Sequence, residues 1–112
     1  MKRFCFACDL KNDLELIESY KNYHKKENTW PEITKSIKDA GVLDMEIYLV
    51  GNRLFLVMEV DETFSFDRKK RMDAENPKVQ DWEQLMWKFQ QALPNTPSGE
   101  KWTPTELIFK LG

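Results

Sequence analysis

The chain has 112 residues, of which 41% are hydrophobic and 32% charged, and this length and composition predict one compact domain over residues 1–112. Its formal net charge is -2 with acids and bases interspersed, which argues against a nucleic-acid partner and against binding to an anionic membrane. The apolar stretches are too short for a signal-peptide core or a bilayer-spanning helix. We therefore predict a cytoplasmic protein.

Apolar spacing in the first half of the chain predicts a strand, two helices and a β-hairpin. The first helix rests on residues at helical spacing, namely Leu14, Ile17, Tyr20 and His24. The predicted segments are a strand from Arg3 to Asp9, a helix to about Lys26, a second helix with Thr29 as a candidate N-cap, Pro31 in its first turn and Gly41 at its end, and two strands, Leu43–Leu49 and Arg53–Val60, joined by Gly51-Asn52.

The second half of the chain predicts a helix and a final strand. The basic run Lys69-Lys70-Arg71 is interpreted as a solvated helix face, because acidic residues follow it closely. A further helix is predicted from Val79 to Leu93-Pro94, with apolar residues at helical spacing along it, namely Trp82, Leu85, Met86 and Phe89. The stretch from Asn95 to Pro104 is predicted to be a loop, and Thr105 to Leu111 a closing strand.

The resulting order of elements, β-α-α-β-β-α-β, is typical of an α+β fold of the ferredoxin-like, split β-α-β type. It predicts a four-stranded antiparallel sheet with helices on one face. Apolar residues also fall on the strand positions that point to the other face, and this face needs a cover. We therefore predict a homodimer in which two sheets pack face to face.

Two cysteines form the sequence Cys5-Phe-Ala-Cys8 within the first predicted strand. Residues three apart on a strand point to opposite faces, so the two thiols cannot form a redox disulfide or chelate a metal together. The sequence also lacks a glycine-rich phosphate loop and a cluster of metal ligands. We predict no cofactor and no metal.

The candidate catalytic pair is Tyr20 and His24, the only histidine of the chain. They are four residues apart, so on a helix their side chains share one face. Imidazole can accept and donate protons near neutral pH, and a neighbouring tyrosine hydroxyl would complete a proton-handling site without a metal. A histidine that is only hydrogen-bonded within the structure is the alternative interpretation.

With Trp30-Pro31-Glu32 after His24, the sequence Ile47-Tyr48-Leu49 on a strand, and Trp87-Lys88-Phe89 ahead of Leu93-Pro94, the chain resembles the L-rhamnose mutarotase family of dimeric α+β barrel proteins. The resemblance covers essentially the whole chain. It implies a monosaccharide 1-epimerase that opens and recloses the sugar ring by general acid–base chemistry.

The resemblance also implies roles for single residues. His24 matches the proton donor, Tyr20 matches a tyrosine that contacts the sugar, and Trp87 matches an aromatic that packs against the pyranose; we further expect Trp30 to wall the cleft. Two positions depart from the family pattern. Met45 stands where the rhamnose enzymes carry a sugar-contacting tyrosine, and Met86 replaces the first of two tryptophans. L-Fucose therefore becomes a candidate substrate beside L-rhamnose.

The sequence also allows other functions for the fold and other roles for single residues. The same barrel could carry a cofactorless oxygenase that acts on an aromatic substrate, or a protein that only binds a small ligand. Trp82 and Trp102 are interpreted as core or interface aromatics. Glu59 is a candidate for the second proton-transfer group, although a salt bridge is the more common role for a carboxylate on a strand.

Overall fold

A computed structural model of the chain describes residues 2–97 and 99–112, and Ser98, in the predicted loop, lies outside them. Within these residues no helix has the length and hydropathy needed to cross a bilayer. In chain order, the elements are β1 Lys2–Leu10, α1 Leu14–Tyr23, α2 Pro31–Asp39, β2 Val42–Val50, β3 Arg53–Val60, α3 Phe66–Ala74, α4 Pro77–Met86, β4 Gln90–Gln91 and β5 Thr103–Pro104.

The strands form one antiparallel sheet in the order β2-β3-β1-β4, and β5 also pairs with β1. β3 therefore lies between β1 and β2, the two strands that flank the first pair of helices, as a split β-α-β unit requires. β2 and β3 form the predicted hairpin, with Val50 opposite Arg53 and a positive φ of 59° at Gly51 in the turn. The predicted α+β class with an antiparallel sheet is confirmed.

The hydrophobic core lies between the helices and one face of the sheet. Alternate residues of β3 point to this face and are buried, namely Leu54, Leu56, Met58 and Val60. Leu54 packs in the larger of two core clusters, which includes Leu10 and the helix residues Ile17, Ile33 and Trp82. The other three residues of β3 form the second cluster with Val42. Helices α1, α2 and α4 thus contribute buried residues to a layer over the sheet, whereas α3 has none, and helices on one face of a sheet are the two-layer arrangement expected for the fold.

The opposite face of the sheet mixes charged and apolar side chains. Arg3 and Glu59, which are paired across β1 and β3, form a salt bridge of 2.7 Å, and Arg53 Nε donates to Asp9 at 2.7 Å. Cys5 belongs to this face, whereas Cys8 is fully buried on the helix side, so both thiols are free, as predicted. Burial raises the pKa of the Cys8 thiol to about 11.

Helix α1 ends three residues before the predicted end at Lys26. His24 is its C-cap residue, and its backbone N–H donates to the carbonyl oxygen of Lys21 at 3.1 Å. The predicted cap of α2 at Thr29 is also wrong, because Trp30 is the N-cap residue and the Thr29 hydroxyl donates to the Lys25 carbonyl. Thr29 therefore closes the turn after α1 instead of starting α2.

The predicted helix from Val79 to Leu93 is too long. α4 ends at Met86, and the chain then pairs with the end of β1, where Gln90 lies opposite Leu10 and Gln91 opposite Asp9. A backbone bond of 2.8 Å from Lys11 N–H to the Phe89 carbonyl extends this pairing. The free edge of β1 offers these backbone partners, and a sequence pattern of helical spacing does not contain that information.

The predicted closing strand from Thr105 to Leu111 is also wrong for the single chain. Strand pairing stops after Thr103–Pro104, with one further bond of 3.0 Å from Thr105 N–H to the Cys5 carbonyl. Residues 106–112 form no strand or helix. Their apolar side chains are exposed by 72–91%, namely Leu107, Ile108, Phe109 and Leu111.

Candidate active site

One large cavity of about 700 Å³ lies between the helices and the helix-facing side of the sheet. Such a volume is within the range of small-molecule sites. Its polar lining includes five side chains that the next paragraphs describe, namely Tyr20, His24, Glu83, Gln90 and Lys101. Its apolar lining includes Met45, Ile47, Trp82, Met86 and Trp102. A few polar groups in a largely apolar wall are typical of sites that orient a small polar ligand.

Tyr20 and His24 meet at the C-terminal end of α1, as their spacing predicts. Asp13 caps the start of this helix by accepting hydrogen bonds from two backbone N–H groups, and the pair lies at the other end, four positions apart. Their ring centroids are 4.3 Å apart. The His24 Nδ1 lies 2.8 Å from the Tyr20 carbonyl oxygen. A carbonyl only accepts, so Nδ1 carries a proton and Nε2 is the nitrogen left for chemistry.

The imidazole of His24 is neutral at pH 7. The residue lies at the mouth of the cavity and is open to solvent there, while its ring packs between Tyr20 and the edge of Trp82, 5.5 Å away. This packing removes water from the ring and lowers the pKa of His24 below its ordinary value of 6.5, and the Nδ1 bond to the Tyr20 carbonyl offsets part of the shift. Nε2 therefore presents a lone pair near neutral pH.

The Tyr20 hydroxyl is a hydrogen-bond donor that keeps its proton. Tyr20 is only 3% exposed, and burial is the main cause that raises its pKa above the usual value for a phenol. The Gln90 side-chain amide donates to the hydroxyl oxygen at 3.1 Å. Because the oxygen accepts from Gln90, the O–H proton is free to point toward a ligand.

A second polar group in the wall is the ion pair of Lys101 and Glu83. Their Nζ and Oε2 atoms are 2.6 Å apart, and the Lys101 side chain is buried while that of Glu83 is half exposed. The Lys101 ammonium also lies over the ring of Trp87, 5.1 Å from its centroid. Neither these residues nor Gln90 were predicted from the sequence as part of a site. Lys101 lies in a predicted loop and Gln90 in a predicted helix, and nothing in their sequence spacing indicates that they lie close together.

The two tryptophans proposed as sugar contacts are not part of the cavity lining that the described residues form. Trp30 packs against Trp82 at 5.1 Å between ring centroids and so supports the wall from behind. Trp87 follows α4 as its C-cap residue, with Lys101 over its ring. The aromatic residues that line the cavity include Trp82 and Trp102 together with Phe6 and Phe66. Trp82 also belongs to the core cluster, as predicted. The sugar contacts of Trp30 and Trp87 stay predictions.

Three further positions singled out by the sequence have clear places. Met45 and Met86, the two departures from the family pattern, both line the cavity, so they can influence which ligand it accepts. Glu59 is held by Arg3 on the opposite face of the sheet. The Glu59 carboxylate therefore has the more common of its two expected roles, a salt bridge. Within this chain it does not line the cavity.

The fold and the cavity together define an α+β protein with one large, mainly apolar cavity in which a histidine and a tyrosine lie side by side. Among the described residues no cluster of side chains could hold a metal ion. The cavity is lined by the imidazole of His24, the phenol of Tyr20 and the carboxylate of Glu83.

The chain belongs to the L-rhamnose mutarotase family, whose model matches residues 3–111. Mutarotases are isomerases, and the chain is an enzyme of this class. An L-fucose mutarotase of Xanthomonas campestris is 41% identical over 111 residues, which cover 99% of this chain and 89% of that protein. A UPF0734 protein of Dictyostelium discoideum is 39% identical over 115 residues, covering 98% of this chain and 90% of its own.

Two solved structures share the fold. The crystal structure of an L-rhamnose mutarotase from Formosa agariphila superposes with a TM-score of 0.71 and 26% identity, covering all of both chains. The tetracenomycin F2 cyclase of Streptomyces glaucescens, a type-II polyketide cyclase, superposes with a TM-score of 0.61 at 13% identity, covering 100% of this chain and 98% of that one. The second similarity shows the fold alone. The family match favours the mutarotase interpretation over an oxygenase or a simple binding protein.

Proposed function

We propose that this protein interconverts the α and β anomers of a 6-deoxy-L-sugar, with L-fucose as its main substrate. The observation that carries the proposal is the pair of Tyr20 and His24 at the mouth of a sugar-sized cavity, with Nδ1 of His24 bound to the Tyr20 carbonyl at 2.8 Å. This bond orients the ring so that Nε2 is the reactive nitrogen. Measuring exchange between the two anomers of L-fucose by saturation-transfer NMR tests the proposal.

The mechanism moves one proton between two oxygens of the same carbon. Nε2 of the neutral His24 removes the proton of the anomeric hydroxyl, the C1–O bond to the ring oxygen breaks, and C1 becomes a carbonyl. The Tyr20 hydroxyl donates a hydrogen bond to the ring oxygen as charge develops there. The imidazolium then donates its proton to that oxygen, which is the role of His24 as proton donor. Rotation about the C1–C2 bond and the reverse steps give the other anomer.

Tyr20→Phe should lower the exchange rate by about ten- to a hundredfold and leave His24 in place, because it removes one hydrogen bond to the reacting oxygen. The aromatic ring that packs on His24 remains, so the protein should stay folded. The comparison is a rate measurement by NMR for wild type and variant at equal enzyme concentration. Tyr23→Phe is the matched control, since Tyr23 belongs to the same helix but does not line the cavity. A loss of the same size in the Tyr23 variant would contradict the assigned role of the Tyr20 hydroxyl.

The choice of L-fucose rests on the cavity wall and on the relatives. Met45 and Met86 line the cavity and bring no hydrogen-bond donor to it. A tyrosine at position 45 would leave its hydroxyl unpaired with a sugar whose hydroxyls are arranged differently, and methionine removes this cost. The flexible thioether of Met86 adapts to a different ring shape. The relative that acts on L-fucose is 41% identical, whereas the L-rhamnose enzyme of known structure is 26% identical.

We expect exchange of L-fucose to be at least as fast as exchange of L-rhamnose at matched concentration. The two sugars differ in the configuration of two ring hydroxyls, and a site that pairs one arrangement leaves buried polar groups unpaired with the other. Saturation transfer on both sugars in parallel samples measures the ratio. Fast exchange of rhamnose with none of fucose would overturn the proposed specificity while leaving the mutarotase reaction intact.

We also propose that the protein acts as a homodimer. The C-terminal segment 106–112, here called the tail, exposes four large apolar side chains in a single chain. The outer face of the sheet carries Tyr48 and Val50, exposed by 54% and 65%, beside Phe55 and Val57. Large apolar side chains exposed in this number are typical of a surface that another chain covers. A second copy that covers this face with its sheet and tail would bury both.

A further inference from the structure

One polar atom in the cavity has no partner. Gln90 is 3% exposed, lies on β4 opposite Leu10, and lines the cavity beside Tyr20. Its side-chain Nε2 donates to the Tyr20 hydroxyl at 3.1 Å, but its Oε1 is the one buried side-chain nitrogen or oxygen of the described residues that lacks a hydrogen bond. A buried acceptor without a donor carries a desolvation cost that nothing in the chain repays.

The missing partner does not depend on how the amide is oriented. If the amide turned by 180°, Oε1 would accept from the Tyr20 hydroxyl and the NH₂ group would be the one without a partner. In either orientation one end of the amide is unpaired, and the residue that carries it lines the cavity. A sugar hydroxyl can donate and accept, so it satisfies either arrangement.

We propose that Gln90 determines substrate specificity by binding the hydroxyl at C2 of the sugar. This inference rests on the proposed mutarotase function and deepens it. In that mechanism Tyr20 contacts the ring oxygen, which is bonded to the reacting carbon C1, and the Gln90 amide is within hydrogen-bond distance of the Tyr20 hydroxyl. Among the hydroxyls that do not react, the one on C2 is nearest to C1. It is also one of the two positions at which L-fucose and L-rhamnose differ.

This arrangement allows the cavity to discriminate between sugars that differ in configuration at C2. An apolar side chain at position 90 would accept either configuration at C2, whereas a buried amide whose free end meets a hydroxyl only in one configuration rejects the other. A single correctly placed hydroxyl of this kind is expected to change the rate about ten- to a hundredfold. The cavity thus has an acceptor already in place for a sugar that supplies the missing donor.

The test compares Gln90→Met with Gln91→Met, the same change on the next residue of β4, whose side chain is exposed on the other face. Anomer exchange is measured by saturation-transfer NMR for L-fucose, 2-deoxy-L-fucose and 4-deoxy-L-fucose. We expect Gln90→Met to slow exchange of L-fucose and 4-deoxy-L-fucose about ten- to a hundredfold, mainly through KM, and to leave 2-deoxy-L-fucose unchanged. Gln91→Met should change none of the three.

Several results would overturn the inference. Equal losses on all three sugars would show that Gln90 only supports Tyr20, and no loss on any sugar would show that the amide does not touch the substrate. If wild type exchanges none of the sugars, the proposed function itself fails, and the inference falls with it. Titration of the wild-type protein with L-fucose gives a second readout that needs no variant. The side-chain NH₂ signal of Gln90 should shift while that of Gln91 does not, and an unmoved Gln90 signal would contradict direct contact.

Discussion

Replacing His24 with alanine is expected to reduce catalysed anomer exchange by about 10²- to 10⁴-fold, the typical contribution of a positioned acid or base. The imidazole is the group that accepts and returns the proton in the proposed mechanism, and no second histidine exists that could replace it. Saturation-transfer NMR with L-fucose gives the rate, and the uncatalysed exchange of the same sample without enzyme gives the floor.

The fold should survive this change, because His24 lies at the end of α1 and is open to solvent at the cavity mouth. Lys25→Ala, one residue further along the same exposed turn, is the matched control and should keep full activity. Circular dichroism and thermal melting verify that both variants are folded. Unchanged exchange in a folded His24→Ala protein would remove His24 from the mechanism.

The lowered pKa of His24 fixes the sign of the pH dependence. Exchange should be retained at pH 7 and fall as the pH drops through that pKa, because protonation takes away the lone pair on Nε2. Stability should follow the same direction. In the unfolded state His24 has its ordinary pKa of 6.5 and binds a proton more readily than in the folded state. The free energy of unfolding therefore decreases as the pH falls below 6.5. His24→Ala should reduce this part of the pH dependence.

Phe109→Asp in the tail is expected to weaken the homodimer by at least about 30-fold, since a buried aromatic at an interface commonly contributes 2 kcal/mol or more. Phe109 is 72% exposed in the single chain, so the substitution should leave the protomer folded. Sedimentation velocity across a dilution series would show dimer for wild type and monomer for the variant. Lys110→Asp places a carboxylate at the next position and should weaken the homodimer less, because it removes no aromatic side chain. A wild-type monomer at micromolar concentration would contradict the proposed interface.

The sequence predicted those parts of the fold that local spacing specifies. The alternation in Leu43–Leu49 and the Gly51-Asn52 turn fix the β2–β3 hairpin, because strand period and turn chemistry are local properties. Gly41 was placed correctly after α2, where its φ is 98° and a Cβ would lie 2.8 Å from an oxygen of Asp61. The sequence could not predict where α4 stops, because its end is set by pairing of Gln90–Gln91 with β1, which lies far away in the chain.

The candidate site was predictable to the same extent. Tyr20 and His24 were found because both belong to one helical turn, and their spacing alone places them together. Gln90 and Lys101 reach the cavity through long-range strand pairing and a connection between strands, so their spacing in the sequence carries no sign of the shared site. Trp82 was correctly predicted as a core residue. Its second place, in the cavity wall, was not predicted, because an aromatic at helical spacing can face a core or a cavity with the same periodicity.

The strand beside β1 is divided into two short pieces, β4 and β5, with a connecting segment between them. This division separates the segment that shapes the cavity wall from the helix that carries Tyr20 and His24. Both short strands pair with the same edge of β1, and the chain between them leaves the sheet and returns with Lys101 and Trp102 at the cavity wall. Tyr20 and His24, the proposed proton-transferring pair, belong to the end of α1 and share no backbone segment with this excursion. The length and composition of the excursion can therefore change without disturbing the imidazole or the sheet. A designer could exchange this segment to obtain mutarotases for other sugars on one unchanged catalytic frame.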